Sequence, residues 1–206
     1  MFKIAIIGAG NVGSALGKGW LKAGHKVVFG VRDPQSAKTK KAMSLIPGAK
    51  TQAISDAATN AEVVVITTPP EAVLELIPFL GDLTDKVIID TTNSVRTRPE
   101  PFATAYHAIK EITKAQDIVK CFNSTGYENM SDPNYHGEGI DMFAAGNSAR
   151  AKQVAEQLAK DLGFATCYDF GGDDKVELLE KFALSWINLA LMQGHGRNLA
   201  FKLLKR

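Results

Sequence analysis

The stretch KIAIIGAGNVG, residues 3–13, joins a run of β-branched residues directly to three glycines in the pattern G-x-G-x-x-G. This order predicts a strand, a tight turn and the start of a helix, which is the setting in which the pattern binds a dinucleotide. Gly8 permits the turn, Gly10 lets a diphosphate approach the backbone, and Gly13 lets the helix pack on the sheet. The predicted contacts are Gly8, Ala9, Gly10, Asn11, Val12 and Gly13, at the positive end of the helix dipole.

Short β-branched runs recur along the chain and alternate with segments of helical spacing, such as residues 149–162. Because the runs are apolar on both faces, they are typical of strands covered from both sides. The alternation predicts an α/β fold, a doubly wound and mostly parallel sheet of the Rossmann type with a small C-terminal helical extension. We place the dinucleotide-binding domain at residues 1–172 and the extension at residues 173–206. The predicted strands are residues 3–7, 26–31, 62–67, 86–90, 117–122, 140–145 and 164–170, with a weaker one at 49–53.

The C-terminal segment differs from the rest. We expect a helix from Asp174 onward, with Asp173 or Asp174 as its N-cap. Within residues 178–192 the polar side chains form one narrow stripe, so most of this helix should be buried, against the sheet or against a second subunit. The second alternative favours a homodimer. The stripe consists of Lys181, Ser185 and Asn188.

Composition excludes several classes of partner. The net charge is only +2, which gives no reason to expect a nucleic acid or a membrane, and we interpret the lysines at 38, 40 and 41 as a solvated helix face. The longest apolar stretch is too short to span a bilayer. With only Cys121 and Cys167, we expect neither a disulfide framework nor a metal site. These features predict a cytoplasmic protein that acts on a small molecule.

The end of the second predicted strand indicates which dinucleotide binds. A site for NAD usually has an acidic residue there to hold the ribose 2′-hydroxyl, whereas this chain has Val31 and Arg32. The guanidinium of Arg32 can pair with a 2′-phosphate, and Asp33 is better placed to cap a helix that begins at Pro34. NADP is therefore favoured over NAD. The alternative, that Arg32 is an ordinary surface charge, stays open.

Polar residues follow three later strands, where ligands of open α/β sheets bind. Residues 67–69 should line the nicotinamide half of the cofactor, and Asn93, Asn123 and Ser124 should lie nearby. The two asparagines could equally be turn residues. The irregular stretches 91–104 and 126–139 are either binding loops or disordered. The residues predicted after the fourth strand are Thr67, Thr68 and Pro69.

Several stretches together resemble the family of coenzyme F420-dependent NADP oxidoreductases, which exchange hydride between NADP and a deazaflavin. They include residues 4–34, VVVITTPPEAV, VKCFNSTG, AAGNSARAKQVAEQLAKDLGF and LLEKFALSWINLALMQGHGRNLAFKLL. The chain is also similar to the cytosolic reductase domain of the six-transmembrane metalloreductases, which passes hydride from NADPH to a flavin. The resemblance implies cofactor contacts at residues 8–13, 67–70 and 123–125. In the family a Ser-Arg pair holds the 2′-phosphate; here Val31 replaces the serine, and only its backbone N–H can help.

No acid–base pair is apparent at the predicted strand ends, and we assign no catalytic residue. His107 and His136 are possible proton donors but are more typical of surface positions, and His195 either lines a second pocket or ends a helix. A deazaflavin, FMN or FAD accepts hydride directly and needs no such donor. Three interpretations follow: an NADPH-dependent reductase of a flavin-like acceptor, a small carbonyl or imine reductase related to pyrroline-carboxylate reductases or β-hydroxyacid dehydrogenases, or a non-catalytic NADPH-binding module.

Overall fold

The computed structural model describes residues 1–37 and 39–206. Its strands are β1 (Lys3–Ile7), β2 (Lys26–Val31), β3 (Lys50–Ala53), β4 (Val63–Ile66), β5 (Val87–Asp90), β6 (Ile118–Lys120), β7 (Asn134–Tyr135), β8 (Glu138–Gly139), β9 (Asp141–Ala145) and β10 (Thr166–Gly171). Its α-helices are α1 (Asn11–Lys22), α2 (Ala37–Ser44), α3 (Ile54–Thr59), α4 (Val73–Leu76), α5 (Ala105–Thr113), α6 (Tyr127–Ser131), α7 (Ala149–Leu162) and α8 (Val176–Ile187). Short 3₁₀ turns occur at Pro70–Ala72, Ile77–Phe79 and Asp173–Lys175, and a π-helical turn at Asn188–Met192. All predicted strands are present, with bounds that differ by at most two residues at either end.

The main sheet has eight strands in the order β10-β9-β6-β5-β4-β1-β2-β3. Strands β1 to β6 pair in parallel, and β9 and β10 are parallel to each other. The single irregularity of direction in this sheet is the β6–β9 pair, which is antiparallel at Lys120 and Ala145. The order of the first six strands is that of a Rossmann fold, which confirms the predicted α/β class.

The core lies on both faces of the sheet, as the apolar character of the strands predicts. Ile4 and Ile6 of β1 belong to one buried cluster, and Ala5 and Ile7 belong to the other, because successive side chains of a strand point to opposite faces. On the first face α1 packs beside α7, where the indole of Trp20 donates a hydrogen bond of 3.0 Å to the carbonyl of Leu158. Helices α3, α5 and α8 cover the second face.

Helix α8 departs from the prediction in two ways. It begins at Val176 after a 3₁₀ turn, and neither Asp173 nor Asp174 caps it; its N-cap is Lys175. The carboxylate of Asp173 bonds instead to α5, through Tyr106 and Lys110. The expectation that most of residues 178–192 would be buried is also wrong within a single chain, because only one face of the segment packs on the sheet. Four large apolar side chains are 39–61% exposed, those of Leu178, Leu184, Leu191 and Met192.

The predicted loop at residues 126–139 is also more regular than expected. It contains α6 and the two-stranded hairpin β7–β8, whose turn is closed by a hydrogen bond from the Gly137 amide to Asn134 Oδ1 at 2.8 Å. Residues 91–104 contain neither helix nor strand. Among the described residues, no helix combines the length and apolar character needed to cross a membrane. Lys40 and Lys41 are exposed on α2, whereas Lys38 lies outside the described residues, and the division of the chain at residue 172 stays a prediction.

Candidate functional site

A cavity of about 620 Å³ opens at the carboxyl ends of β1 and β4. These neighbouring strands mark the point where the strand order reverses, which is where open α/β sheets bind their ligands. One wall is formed by Gly10, Asn11 and Val12, which follow β1, and by Thr67, Thr68 and Pro69, which follow β4. The opposite wall is formed by residues from α6 and from the C-terminal segment, namely Tyr127, Glu128 and Arg197.

The turn after β1 has the close packing that its glycines predict. Gly8 has a φ of 112°, a conformation that side chains rarely adopt. A Cβ on Gly13 would lie 2.5 Å from the carbonyl oxygen of Gly8, so only glycine fits between the helix and the turn. Thr67 fixes the arrangement from β4, since its hydroxyl lies 3.0 Å from the Ile7 carbonyl and 3.1 Å from the Gly8 carbonyl. The hydroxyl of Thr67 is therefore hydrogen-bonded to the protein backbone.

Gly10 has a different role from Gly13. A Cβ placed on it would meet no atom within 4 Å, so packing within the chain does not require glycine there. Gly10 is the N-cap of α1, and the helix starts at Asn11 with no acidic residue in its first turn. The first amides of α1 have no partner inside the helix, and their positive dipole end faces the space above Gly10. This space fits a diphosphate that approaches the backbone closely.

The two residues at the end of β2 differ sharply in exposure. Val31 is 8% exposed and belongs to the core. The side chain of Arg32 is 79% exposed, and its nearest carboxylate is Glu75 Oε2 at 3.6 Å. An ion pair between two such exposed groups is weak. Arg32 is therefore free to pair with a stronger anion, such as a 2′-phosphate.

The two predicted asparagines bond to each other. Asn93 Nδ2 donates to the Asn123 carbonyl at 2.8 Å, and Asn123 Nδ2 donates to Asn93 Oδ1 at 2.9 Å. Asn123 Oδ1 and the hydroxyl of Thr68 are buried without a hydrogen-bond partner among the described residues. The hydroxyl of Ser124 instead donates to the sulfur of Met142, at 3.7 Å in the core. Of these two unsatisfied atoms, the Thr68 hydroxyl belongs to a residue that lines the cavity, whereas Asn123 is 3% exposed and is not one of the lining residues. A nicotinamide carboxamide has donors and an acceptor to offer to such groups.

A buried charged cluster lies under these strand ends. Lys120 Nζ is 2.6 Å from Asp90 Oδ2 and 2.5 Å from Glu180 Oε1. Burial alone would lower the pKa of Lys120, but the two carboxylates outweigh it and the pKa is raised. Burial raises the pKa of Glu180, and the attraction of Lys120 offsets this only in part. One cation thus balances two carboxyl groups inside the protein.

The cluster also holds the backbone on either side of Asn93. Lys120 donates to the carbonyl of Thr92 at 2.8 Å, and the amide of Ser94 donates to Glu180 Oε2 at 2.8 Å. Because both neighbours of Asn93 are fixed, the Asn93–Asn123 pair has little freedom to move. The cluster therefore connects α8 to the edge of the site.

The chain can now be compared with known proteins. Residues 3–94 match the family described as NADP oxidoreductase coenzyme F420-dependent. The F420-dependent NADP reductase of Methanothermobacter thermautotrophicus is 28% identical over 208 residues, which cover 92% of this chain and 89% of that protein. A crystal structure from Arthrobacter sp. FB24, titled as a candidate F420-dependent NADP-reductase, superposes with a TM-score of 0.87 at 25% identity and full coverage of both chains. The chain is similar to F420-dependent NADP oxidoreductases, through residues 3–94 to their family model and over most of its length to a reductase of that name. It is accordingly an NADP-dependent oxidoreductase.

More distant structures share the fold alone. An imine reductase from Myxococcus stipitatus, solved with NAD⁺, superposes with a TM-score of 0.70 at 17% identity. That alignment covers 94% of this chain and 63% of the imine reductase. The likeness is therefore confined to the part of the imine reductase that corresponds to this fold.

The second wall of the cavity was not predicted from the sequence. Tyr127 and Glu128 lie in the stretch expected to be either a binding loop or disordered, but nothing marked these two residues individually. Arg197 is more than 180 residues away from the glycine turn in sequence. Its only signal is the break QGHGR, in which Gly194 and Gly196 have positive φ and turn the chain back after α8.

None of the four histidines lines the cavity within the described residues. His107 Nδ1 is 2.8 Å from the hydroxyl of Thr104, the N-cap of α5. His136 is exposed in the turn of the β7–β8 hairpin, and His195 is exposed after α8. The two considered as possible donors, His107 and His136, thus lie beside a helix cap and on the surface, and His195 does not line the cavity.

Proposed function

We propose that this NADP-dependent oxidoreductase transfers hydride between NADP(H) and a flavin-like acceptor, either a deazaflavin such as coenzyme F420 or a flavin such as FMN or FAD. The observation that carries the proposal is the composition of the cavity. Of its nine lining residues, only Tyr127, Glu128 and Arg197 have titratable side chains, and Glu128 is bonded to Arg197. A reaction that requires no proton donor suits this site best.

The residues present fit NADP(H). The amides of Asn11 and Val12 would bind the diphosphate above Gly10, and Arg32 would bind the 2′-phosphate. The Thr68 hydroxyl and Asn123 Oδ1 have no partner among the described residues. The hydroxyl would donate to or accept from the nicotinamide carboxamide, and Asn123 Oδ1 would accept from its N–H groups. Bound NADPH supplies the hydride, and the protein orients the ring against the acceptor and keeps competing reactants out.

The choice of a flavin-like acceptor rests on whether the reaction needs a proton-donating side chain. Hydride addition to a ketone leaves an alkoxide, and addition to a neutral imine leaves a nitrogen anion; a side chain usually supplies the proton that neutralises either one. A flavin-like ring delocalises the charge that the hydride brings and can take its proton from water, so binding and orientation suffice. The names of the Methanothermobacter relative and of the Arthrobacter structure both specify an F420-dependent reductase, which agrees with this choice.

Oxidation of NADPH by the purified protein, followed at the nicotinamide absorbance, tests the proposal. Coenzyme F420, FMN and FAD are supplied in turn, and a cyclic imine and a small ketone are supplied in parallel. We expect turnover with at least one ring acceptor and none with the imine or ketone. Turnover with the imine alone would favour an imine reductase with Tyr127 as donor, and binding of NADPH without any turnover would favour a regulatory module.

We also propose a homodimer and a cytoplasmic location. On the exposed face of α8, Leu178 and Leu184 lie beside Glu177 and Lys181, one turn apart and opposite in charge. Two copies related by a twofold axis can therefore bury the leucines and pair Glu177 with the partner's lysine. Light scattering tests the dimer, with Leu184→Glu expected to give monomers. In a reducing compartment Cys121 and Cys167, whose sulfur atoms lie 3.9 Å apart, would stay as thiols.

A further inference from the structure

The C-terminal segment after α8 is fixed across helix α6. Asn129 Nδ2 donates to the carbonyl of Leu199 at 2.7 Å and to that of Arg197 at 3.3 Å. The indole of Trp186 donates to the same Leu199 carbonyl at 2.7 Å. Two backbone bonds close the turn before it, from the His195 amide to the carbonyl of Leu189 and from the Gly196 amide to that of Ala190. Residues 193–199, which we term the crossing segment, are therefore held against α6, and Arg197 of this segment lines the cavity.

The crossing segment holds one arginine in a defined orientation. Arg197 Nε donates to Glu128 Oε1 at 2.5 Å, and Nη2 donates to Glu128 Oε2 at 3.1 Å. The guanidinium carbon lies 5.3 Å from the centre of the Tyr127 ring and 5.4 Å from that of Trp186. A side chain fixed by a carboxylate and two aromatic rings loses little further entropy when it binds a ligand.

The guanidinium keeps hydrogen-bonding capacity after these contacts. It has five N–H groups, of which the two bonds to Glu128 use two. The side chain is 39% exposed and lines the same cavity as Gly10 and Thr68. A planar, preorganised guanidinium with free N–H groups is suited to a phosphate, because charge-assisted hydrogen bonds to phosphate are strong and geometrically specific.

We infer that Arg197 binds the phosphate of the hydride acceptor and thereby selects phosphorylated flavin-like rings over unphosphorylated ones. This inference rests on the proposed function. The diphosphate of NADP(H) is served from the other wall, by the first amides of α1, whereas Arg197 lies on the wall that α6 and the crossing segment form. The acceptor must approach the nicotinamide from that second wall, so a cation there meets the acceptor's side chain.

Binding and turnover of FMN and riboflavin test the inference, since the two molecules differ only in the phosphate. Binding is measured by quenching of flavin fluorescence on protein saturated with NADP⁺, and it needs no turnover. The pair 5-deaza-FMN and 5-deazariboflavin is measured in the same way. In the wild-type protein we expect the phosphorylated member of a pair to bind about tenfold more tightly or better.

In Arg197→Ala, the affinity for FMN is expected to fall to that for riboflavin. The affinities for riboflavin and for NADPH should stay unchanged within about twofold. Arg197→Lys keeps the positive charge but lacks the planar, bidentate donor arrangement of the guanidinium. It should recover part of the preference for FMN over riboflavin. Arg150→Ala is the matched control, because it also removes an arginine from an ion pair, with Asp117, but outside the cavity. Circular dichroism establishes that each variant is folded.

Two results would overturn the inference. One is equal binding of FMN and riboflavin, and of the deaza pair, by the wild-type protein. The other is a loss of NADPH affinity in Arg197→Ala as large as the loss for FMN, which would assign the arginine to the cofactor. Both are independent of the turnover assay, so failure of the proposed hydride transfer is recognised separately.

Discussion

Lys120 Nζ lies 2.6 Å from Asp90 Oδ2, and neither side chain has any exposed surface. Asp90 ends β5 and Lys120 ends β6, so the pair joins neighbouring strands at the edge where the cavity opens. Glu180 of α8 adds the second carboxylate at 2.5 Å from the same nitrogen. The C-terminal helix is thus attached to the sheet by charge as well as by apolar packing.

Loss of the cation should destabilise the fold strongly. Lys120→Met leaves two carboxyl groups buried without a counter-charge, and we expect a loss of about 3–5 kcal/mol in the free energy of unfolding. Glu180→Gln leaves the Lys120–Asp90 pair intact and should cost clearly less. Urea unfolding of both variants measures the difference. Equal and small losses in the two variants would contradict a cluster that depends on its lysine.

Two glycines of the same turn should respond oppositely to alanine. Gly13→Ala places a Cβ 2.5 Å from the Gly8 carbonyl, so the backbone must shift and stability should fall by about 1–3 kcal/mol. Gly10→Ala meets no atom within 4 Å and should leave the unfolding transition unchanged. Its methyl group occupies the space assigned to the diphosphate, and we expect NADPH to bind at least about tenfold more weakly.

Thermal unfolding and calorimetric titration with NADPH separate the two effects. Each variant serves as the control of the other, because both add a single methyl group within four residues. Normal NADPH binding by Gly10→Ala would show that the diphosphate does not lie above this residue.

The glycine turn could be predicted because its role is local. The strand, the turn and the helix start are adjacent in sequence. The spacing of Gly8, Gly10 and Gly13 is therefore enough to indicate the geometry of the turn. The strand pattern is equally local, which is why the order of elements up to β6 follows from periodicity. The end of β2 similarly marks Arg32 by the absence of an acidic residue.

The second wall could not be predicted, because it depends on tertiary contacts. Arg197 reaches Glu128 only after α8 crosses the sheet and the chain turns back, and no local pattern encodes that path. The buried position of Lys120 could not be predicted either. The sequence around it gives no sign that two carboxylates far away in sequence neutralise its charge. The N-cap of α8 was mispredicted for the same reason: Asp173 is used by Tyr106 and Lys110 of α5.

Asp173 should make stability depend on acid pH. Burial would raise the pKa of its carboxyl group, but hydrogen bonds from Lys110, Tyr106 and the Asn147 amide outweigh burial and lower the pKa. A lowered folded-state pKa means that the unfolded chain binds the proton more readily. The stabilisation is therefore present above the ordinary aspartate pKa of about 3.9 and is lost as the pH falls through the folded-state value.

Comparison of the wild type with Asp173→Asn measures this contribution. We expect the variant to be less stable by about 1–2 kcal/mol at pH 7, and the difference to shrink at pH values below about 3.9. Asp174→Asn, one residue away and exposed, is the control and should change stability little at either pH. A difference that persists undiminished in acid would mean that the ionised carboxylate is not the source.

The preference for NADPH should depend on Arg32. Its side chain is 79% exposed and pairs with the equally exposed Glu75 at 3.6 Å, so Arg32→Ala removes no buried ion pair and should not alter stability. We expect the dissociation constant for NADPH to rise about 10- to 100-fold, because charge-assisted hydrogen bonds to the 2′-phosphate are lost. NADH has no 2′-phosphate, and its weaker binding should change by less than about twofold.

Lys50→Ala is the matched control, since Lys50 begins β3 at the amino end of the strands, away from the cavity. It removes the same charge and should leave both nucleotides unaffected. Glu75→Gln removes the carboxylate that competes for Arg32, so NADPH should bind equally well or more tightly. Titration of each variant with NADPH and with NADH measures these affinities. Equal weakening of NADPH and NADH by Arg32→Ala would show that the arginine acts on something the two share, and the exposed end of β2 would then not discriminate between them.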